Sequence, residues 1–204
     1  MNKFSLDIET MLNPLSFEFL PKVEASKTLK DPEKIKADIE KKEIEQIQKM
    51  SLSPLYGQIA CIGLLNADDK VCAIGNEADI ISDFRDFVEI NTTNHYFSWN
   101  GNGFDWDFII KRGLAYGIYK LSDLKRYTQR GNPYHTDLMV EFCGYNKFAK
   151  LGDISQIYLG RGKKDFDVSQ ISELIKTKKG QDLIKEYCLE DCQLTYDLAM
   201  KWGY

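Results

Sequence analysis

The sequence predicts an α/β fold, a mixed β-sheet with helices packed on its faces. Three observations lead there. Residues 58–75 read as a hairpin, with the apolar run Gln58–Leu65 returning through Asn66–Lys70 into Val71–Gly75. Helical spacing at Ile80, Ile81, Phe84, Phe87 and Val88 is followed by another short buried strand, His95–Trp99. Beyond residue 105 the pattern is mostly helical. A hairpin followed by helix-crossed strands makes a sheet of mixed direction.

Each element has its own signal. Lys3–Thr10 alternates Phe4, Leu6 and Ile8 against Ser5, Asp7 and Glu9, the period of a strand. Met11–Val23 holds Asn13-Pro14 and Leu20-Pro21 and reads as an irregular connection. Residues from about 24 to 56 form a charged insertion. In it Asp31 is an N-cap, Pro32 takes the first helical position, and the helix runs through residue 50. Its apolar stripe, Ile35, Ile39, Ile44 and Ile47, is thin, so a solvated helix across the sheet edge is expected. Ser53–Gly57 closes the insertion. The last helix, from residue 180 to 202, has its stripe at Leu183, Ile184, Cys188, Leu194, Leu198 and Ala199.

Composition narrows the class. A chain of 204 residues with 43% apolar content is read as one domain, 1–204, with a sizeable core and no membrane span. No secretory signal opens it, and the five cysteines lack C-x-x-C spacing, so buried, reduced thiols in the cytoplasm are expected. With two histidines there is little material for a His-rich metal site. The net charge of −4 argues against a strongly basic nucleic-acid coat but leaves room for a nuclease rich in metal-binding carboxylates.

Four carboxylates stand out. Asp7 and Glu9, two apart on a strand, share one face. That face is either a solvated edge or a place where a cation separates like charges. Asp105 follows Asn100-Gly101-Asn102-Gly103-Phe104, a tight turn at a strand's end, and is either an N-cap or a ligand at a common ligand position in α/β sheets. Asp191 lies with Tyr187 inside the apolar stripe of the last helix, where an unpaired carboxylate is costly. Oxygen-rich sets of this kind suit Mg²⁺ or Mn²⁺. Two such ions about 4 Å apart would activate a water and stabilise the leaving oxygen of a phosphodiester.

The motifs resemble those of the DEDD, or DnaQ-like, 3′–5′ exonuclease superfamily. Asp7-Ile8-Glu9 is similar to its first motif, and Asn100–Asp105 resembles the second in the N-x-x-x-F-D form of family B DNA polymerase proofreading domains. Tyr187–Asp191 is similar to the Y-x-x-x-D of the tyrosine branch, with Glu186 where the histidine branch needs its histidine. The resemblance implies an RNase H-like five-stranded mixed sheet flanked by helices, with the charged helix inserted after the first strand. It implies a free-standing enzyme without a polymerase domain, and the first strand in the centre of the sheet. Asp7 would touch both metal ions, Glu9 and Asp191 would hold the nucleophile-side ion, and Asp105 would support the second through water. Tyr187 would orient the attacking water; a phenol with an ordinary pKa near 10 is no base at neutral pH. Thr10, Met11 and Leu12 would wedge and bond the 3′-terminal nucleoside, Asn100 would bond the turn or that nucleotide, and Phe104 would pack the junction.

The implied substrate is single-stranded DNA or a frayed 3′ end. RNA is the nearest alternative and a silent nucleic-acid-binding module the more distant one. Lys120, Lys125, Arg126 and Arg130, then Arg161, Lys163 and Lys164, with Tyr119, Tyr127, Tyr134 and Tyr158, are the parts of a single-strand groove or an ordinary solvated surface. Asp137, before a helix, reads as an N-cap.

Overall fold

The computed structural model describes residues 2–129 and 131–204, the side chains of Leu124 and Lys125 excepted. Its sheet holds β1 (Lys3–Leu12), β2 (Gly57–Leu65), β3 (Lys70–Ile74), β4 (His95–Ser98) and β5 (His135–Asp137) in the order β3-β2-β1-β4-β5. β1 runs antiparallel to β2, and β2 to β3, whereas β4 and β5 run parallel to β1. The first strand is therefore the central one, as expected. β1 also outlasts its expected end: Met11 and Leu12, read as the start of an irregular connection, pair with Gln58 and Gly57. Its register against β2 slips by one after Glu9, leaving Ala60 as the extra residue of a bulge.

The helices are α1 (Pro32–Ser51), α2 (Glu77–Ile90), α3 (Asp105–Ala115), α4 (Leu121–Thr128), α5 (Leu138–Cys143), α6 (Leu151–Leu159), α7 (Ile171–Leu174) and α8 (Lys178–Lys201). On one face of the sheet Phe4, Leu6 and Ile8 of β1 join Ile59, Ile62 and Leu64 of β2 under α2 and α3, around the fully buried Trp106. On the other face α8 crosses the sheet. The core there is in two pieces. One gathers Phe97, Leu138, Leu194 and Leu198 on the β4–β5 side, and the other gathers Ala60, Cys61, Ile171, Ile184 and Cys188 on the β2 side. Between them run Ser5, Asp7 and Glu9, the polar alternation of β1.

α1 caps on Asp31, whose carboxylate accepts from the amides of Glu33 and Lys34, and it buries none of its residues. Its main contacts with the sheet are to β1 and β2. The reason is the short return from Ser51 to Gly57, where a Cβ on Gly57 would lie 2.4 Å from the Ser51 carbonyl oxygen. α8 begins at Lys178 with Thr177 as its cap. Its expected stripe is buried except for Leu183, which is exposed. Among the described residues no helix is long and apolar enough to cross a membrane.

A buried ion pair ties α2 to α3, unseen in the sequence. Arg112 donates from Nε to Glu77 Oε1 at 2.9 Å and from Nη2 to Oε2 at 2.6 Å. Glu77 also accepts from the Ile59 amide and the Tyr116 hydroxyl, each at 2.7 Å. Removing one partner strands a buried charge. Arg112→Met should destabilise the protein by about 3–5 kcal/mol in chemical denaturation. A loss under about 1 kcal/mol, the range of exposed pairs, would mean water reaches Glu77.

Candidate active site

β1 supplies two carboxylates because strand alternation aims Asp7 and Glu9 at α8. α8 supplies the third, since Asp191 sits on its buried side one turn after Tyr187. One carboxylate oxygen each from Asp7, Glu9 and Asp191 lies within 4.8 Å of the others. Asp7 Oδ2 and Asp191 Oδ1 are enclosed and meet no hydrogen-bond donor.

Asp105 arrives from the other flank. Phe104 is the N-cap of α3 and makes no side-chain cap bond, so Asp105 is the first helical residue. Its buried carboxylate accepts from its own amide and from that of Ile8. The Ile8 amide is free for this because β4 pairs with β1 only as far as Ser5. The helix N-terminus also favours negative charge at this point.

Burial and mutual repulsion dominate the electrostatics. Burial, then Asp191, pushes the Glu9 carboxyl up to about 8, against the pull of Lys163. Burial pushes Asp105 up to about 7, with its amide bonds resisting. Asp7 is driven well above the carboxylate range by burial and then by Asp191, Glu9 and Asp105. Burial raises Asp191 too, while Lys163 opposes it. Unpaired carboxylate oxygens in a closed space are the surroundings that a hard cation relieves.

Lys163, read from the sequence only as part of a basic cluster, stands beside the carboxylates, a place the sequence did not reveal. Its ammonium forms a salt bridge with Asp191 and stands 5.1 Å from the centre of the Tyr187 ring. Phe166 stacks on that ring at 4.4 Å. The basic loop 160–164 thus turns one lysine inward, a placement that local spacing does not signal. Burial, then Asp191, holds the Tyr187 phenol up at about 12.

The remaining predicted residues divide. Asn100 takes a left-handed backbone, φ 70°, and its carbonyl accepts from the amides of Gly103 and Phe104. Its amide donates to Asp137 Oδ1 at 3.0 Å, and the Asn102 amide donates to Asp137 Oδ2 at 2.9 Å. Asp137 is also the N-cap of α5, so one buried carboxylate clamps the turn that delivers Asp105. Phe104 packs against the α2–α3 core, its ring 5.5 Å from that of Phe108. Thr10 and Leu12 are buried on the alternation of Ile8, opposite the carboxylates. Met11 lies on the carboxylate side, against Cys61 and Ile171.

The expected single-strand groove is not assembled by the described residues. Tyr119 and Tyr127 are buried, and Tyr127 stacks flat on Trp106 at 4.5 Å. Arg161 pairs with Asp197, and Lys164 with Glu186 and Glu190. Arg126 stands over the rings of Tyr127 and Tyr134. Lys120 is exposed, and Tyr158 packs on Phe142 and Trp202. The Lys125 side chain and Arg130 lie outside the described residues.

A mixed five-stranded sheet with helices on both faces and an acidic cluster on its central strand is the fold of a polymerase exonuclease domain. Compared with solved structures, the chain superposes on the family B DNA polymerase of Pyrobaculum calidifontis with a TM-score of 0.62 at 16% identity, covering 98% of this chain and 24% of that one. Residues 55–203 match the model of a family described as predicted 3′–5′ exonucleases related to the exonuclease domain of PolB, and the chain belongs to that family. β1 lies outside the matched residues, so the family match does not bear on Asp7 and Glu9. The DNA polymerase of Bombyx mori nuclear polyhedrosis virus is 24% identical over 157 residues, 66% of this chain and 16% of that protein. The DNA polymerase of Pyrococcus glycovorans is 22% identical over 148 residues, 63% of this chain and 18% of that protein. The chain thus spans less than a fifth of these relatives' length.

The raised carboxyls set a pH dependence. Glu9 keeps its proton in the fold up to about 8, where its ordinary value is 4.5. The unfolded chain then binds fewer protons than the folded one, and stability falls as pH rises. In EDTA the unfolding free energy should decline as pH rises from about 4.5 to about 8, and Glu9→Gln should flatten the decline. Urea titrations across that range test this; a profile that climbs would show the cluster ionised and stable without a cation.

Proposed function

We propose that the chain is a metal-dependent 3′–5′ exonuclease hydrolysing phosphodiester bonds at the 3′ end of single-stranded DNA, with residues 1–204 acting as one exonuclease domain. The observation that carries this reading is the meeting of Asp7, Glu9 and Asp191 oxygens within 4.8 Å, two of those carboxylates each having an enclosed oxygen without a donor. A purely carboxylate set fits hard ions such as Mg²⁺ or Mn²⁺. Asp7, Glu9 and Asp191 would hold the ions, with Asp105 supporting from outside the three-oxygen set. Two such ions, when bound, activate water for in-line attack and stabilise the leaving oxygen.

The chain's own groups do the rest. Tyr187, packed against Phe166 and Lys163, orients the attacking water as a hydrogen-bond donor, because its proton is held to about 12. Lys163 balances the charge of Asp191 and steadies α8 against the loop. The turn at 99–104, clamped by Asp137, fixes Asp105. Asn100 acts through that turn, and of the three residues after the first motif Met11 is the one on the carboxylate side of β1. DNA is favoured over RNA because the relatives are DNA polymerases. Retention of all four carboxylates favours an enzyme over a silent binding module.

The test is degradation of 5′-labelled DNA and RNA oligonucleotides with Mg²⁺, Mn²⁺ or EDTA. Shortening of DNA from the 3′ end should need the metal. Asp7→Ala should lower the rate by about three decades or more, as expected if metal-held chemistry supplies about 4 kcal/mol. Tyr187→Phe should lower kcat more than it raises KM. A wild-type rate from Asp7→Ala, or faster loss of RNA than DNA, would overturn the mechanism or the substrate.

A further inference from the structure

Four of the five cysteines lie on the α8 side of the sheet, beside the carboxylates. The Sγ atoms of Cys61, Cys72 and Cys188 all lie within 4.8 Å of one another. They come from β2, β3 and α8, so no C-x-x-C spacing announces them. Cys61 registers with Ile74, and Cys72 with Gly63, which makes the two strand thiols diagonal neighbours on one face. A Cβ on Gly63 would sit 2.7 Å from Cys188 Sγ and 3.0 Å from Cys192 Sγ. Glycine at this place lets the helix thiols descend onto the strands.

Cys188 Sγ donates to the Asp7 carbonyl oxygen at 3.6 Å and keeps within 4.8 Å of the sulfurs of Cys61 and Cys72. Around them are Ala60, Ile171 and Ile184, an apolar shell. Cys61 and Cys188 are fully buried, whereas Cys72, on the edge strand, is only half-buried and opens a way in. A thiol used merely as a small apolar group has no need to meet two others from separate elements. A thiolate metal centre does. With a metal–sulfur bond of about 2.3 Å, tetrahedral sulfurs lie about 3.8 Å apart, a contraction of about 1 Å or less from the present triangle.

We propose that Cys61, Cys72 and Cys188 form a binding site for a thiophilic d¹⁰ cation of the Zn²⁺ class, with a ligand set separate from the carboxylate cluster. Binding forms three sulfur–metal bonds; each thiol that still carries its proton breaks its S–H bond and gives that proton to solvent, with no change of oxidation state. The Lys185 ammonium near Cys72 offsets the surplus thiolate charge. The two clusters sort cations by softness, thiolates taking the zinc class and carboxylates the magnesium class. Because α8 bears both Cys188 and Asp191, the thiolate centre pins the helix that carries the third carboxylate.

Cadmium is the probe. The full chain, kept reduced and stripped of metal, is titrated with Cd²⁺ while the ultraviolet thiolate-to-cadmium charge-transfer band is followed. The band should saturate at one equivalent, with protons released to solvent as it grows. At saturation Cys72 should be shielded from iodoacetamide in the wild-type chain while Cys143, outside the cluster, stays reactive. Cys72→Ser should weaken binding by more than the 10–100-fold that loss of an outer partner typically costs. Asp7→Asn should keep the band, which separates this centre from the carboxylates and from any failure of the nuclease assignment. No band, a band unchanged in Cys72→Ser, or Cys72 alkylated at its original rate in Cd²⁺ would overturn the proposal.

Discussion

The structure depends on one unfavourable contact: carboxylates of the central strand facing a carboxylate of the helix that covers it. Asp7, Glu9 and Asp191 are close, largely enclosed and of like charge, so each raises the others' proton affinity. An edge strand could leave such groups in water. The central strand cannot, because α8 must bury the apolar residues on either side. The split core on the α8 face follows directly. Apolar packing stops along Ser5, Asp7 and Glu9, and its two halves hold the helix in place without needing that strip.

A site built this way needs neighbours that hold charges at fixed distances. Lys163 answers Asp191 from a loop, and the Ile8 amide answers Asp105 from the strand. The second contact exists only because β4 is short. The clamp on the 99–104 turn works on the same principle, since Asp137 gathers the amides of Asn100, Asn102, Met139 and Val140. One buried carboxylate receiving four donors is satisfied. Asp7 and Asp191 each keep an enclosed oxygen without a donor. On the proposed reading, that contrast separates a structural aspartate from a ligand better than burial does.

Much of this was legible in the sequence. Alternation in Lys3–Thr10, the apolar run of 58–65 and the stripe of the last helix are local patterns that survive folding unchanged. The four carboxylates were found because each sat where its own element made it conspicuous. Lys163 was not, because a glycine-flanked basic loop says nothing about which lysine turns inward. The Glu77–Arg112 pair and the thiol triangle escaped for a similar reason, since they join positions 35 and up to 127 residues apart. Tyr119 and Tyr127 misled in the opposite sense: proximity to cations in sequence suggested a stacking surface, and Trp106 took the Tyr127 ring instead. At three residues β5 is too short to show a period, although its last residue holds the clamp.

On the proposed reading, these pairings bear on how a phosphate chain could approach. The chain carries a net charge of −4, and Arg161, Lys163 and Lys164 are each already matched to a carboxylate. A phosphodiester nearing Asp7, Glu9 and Asp191 would meet repulsion, with no unspent cation among these three to offset it. Divalent ions bound there would reverse the local sign and supply the attraction that the protein's own loop does not. Metal loading would then govern both substrate capture and chemistry, and a protein without its ions should fail to hold the 3′ end as well as fail to cut it.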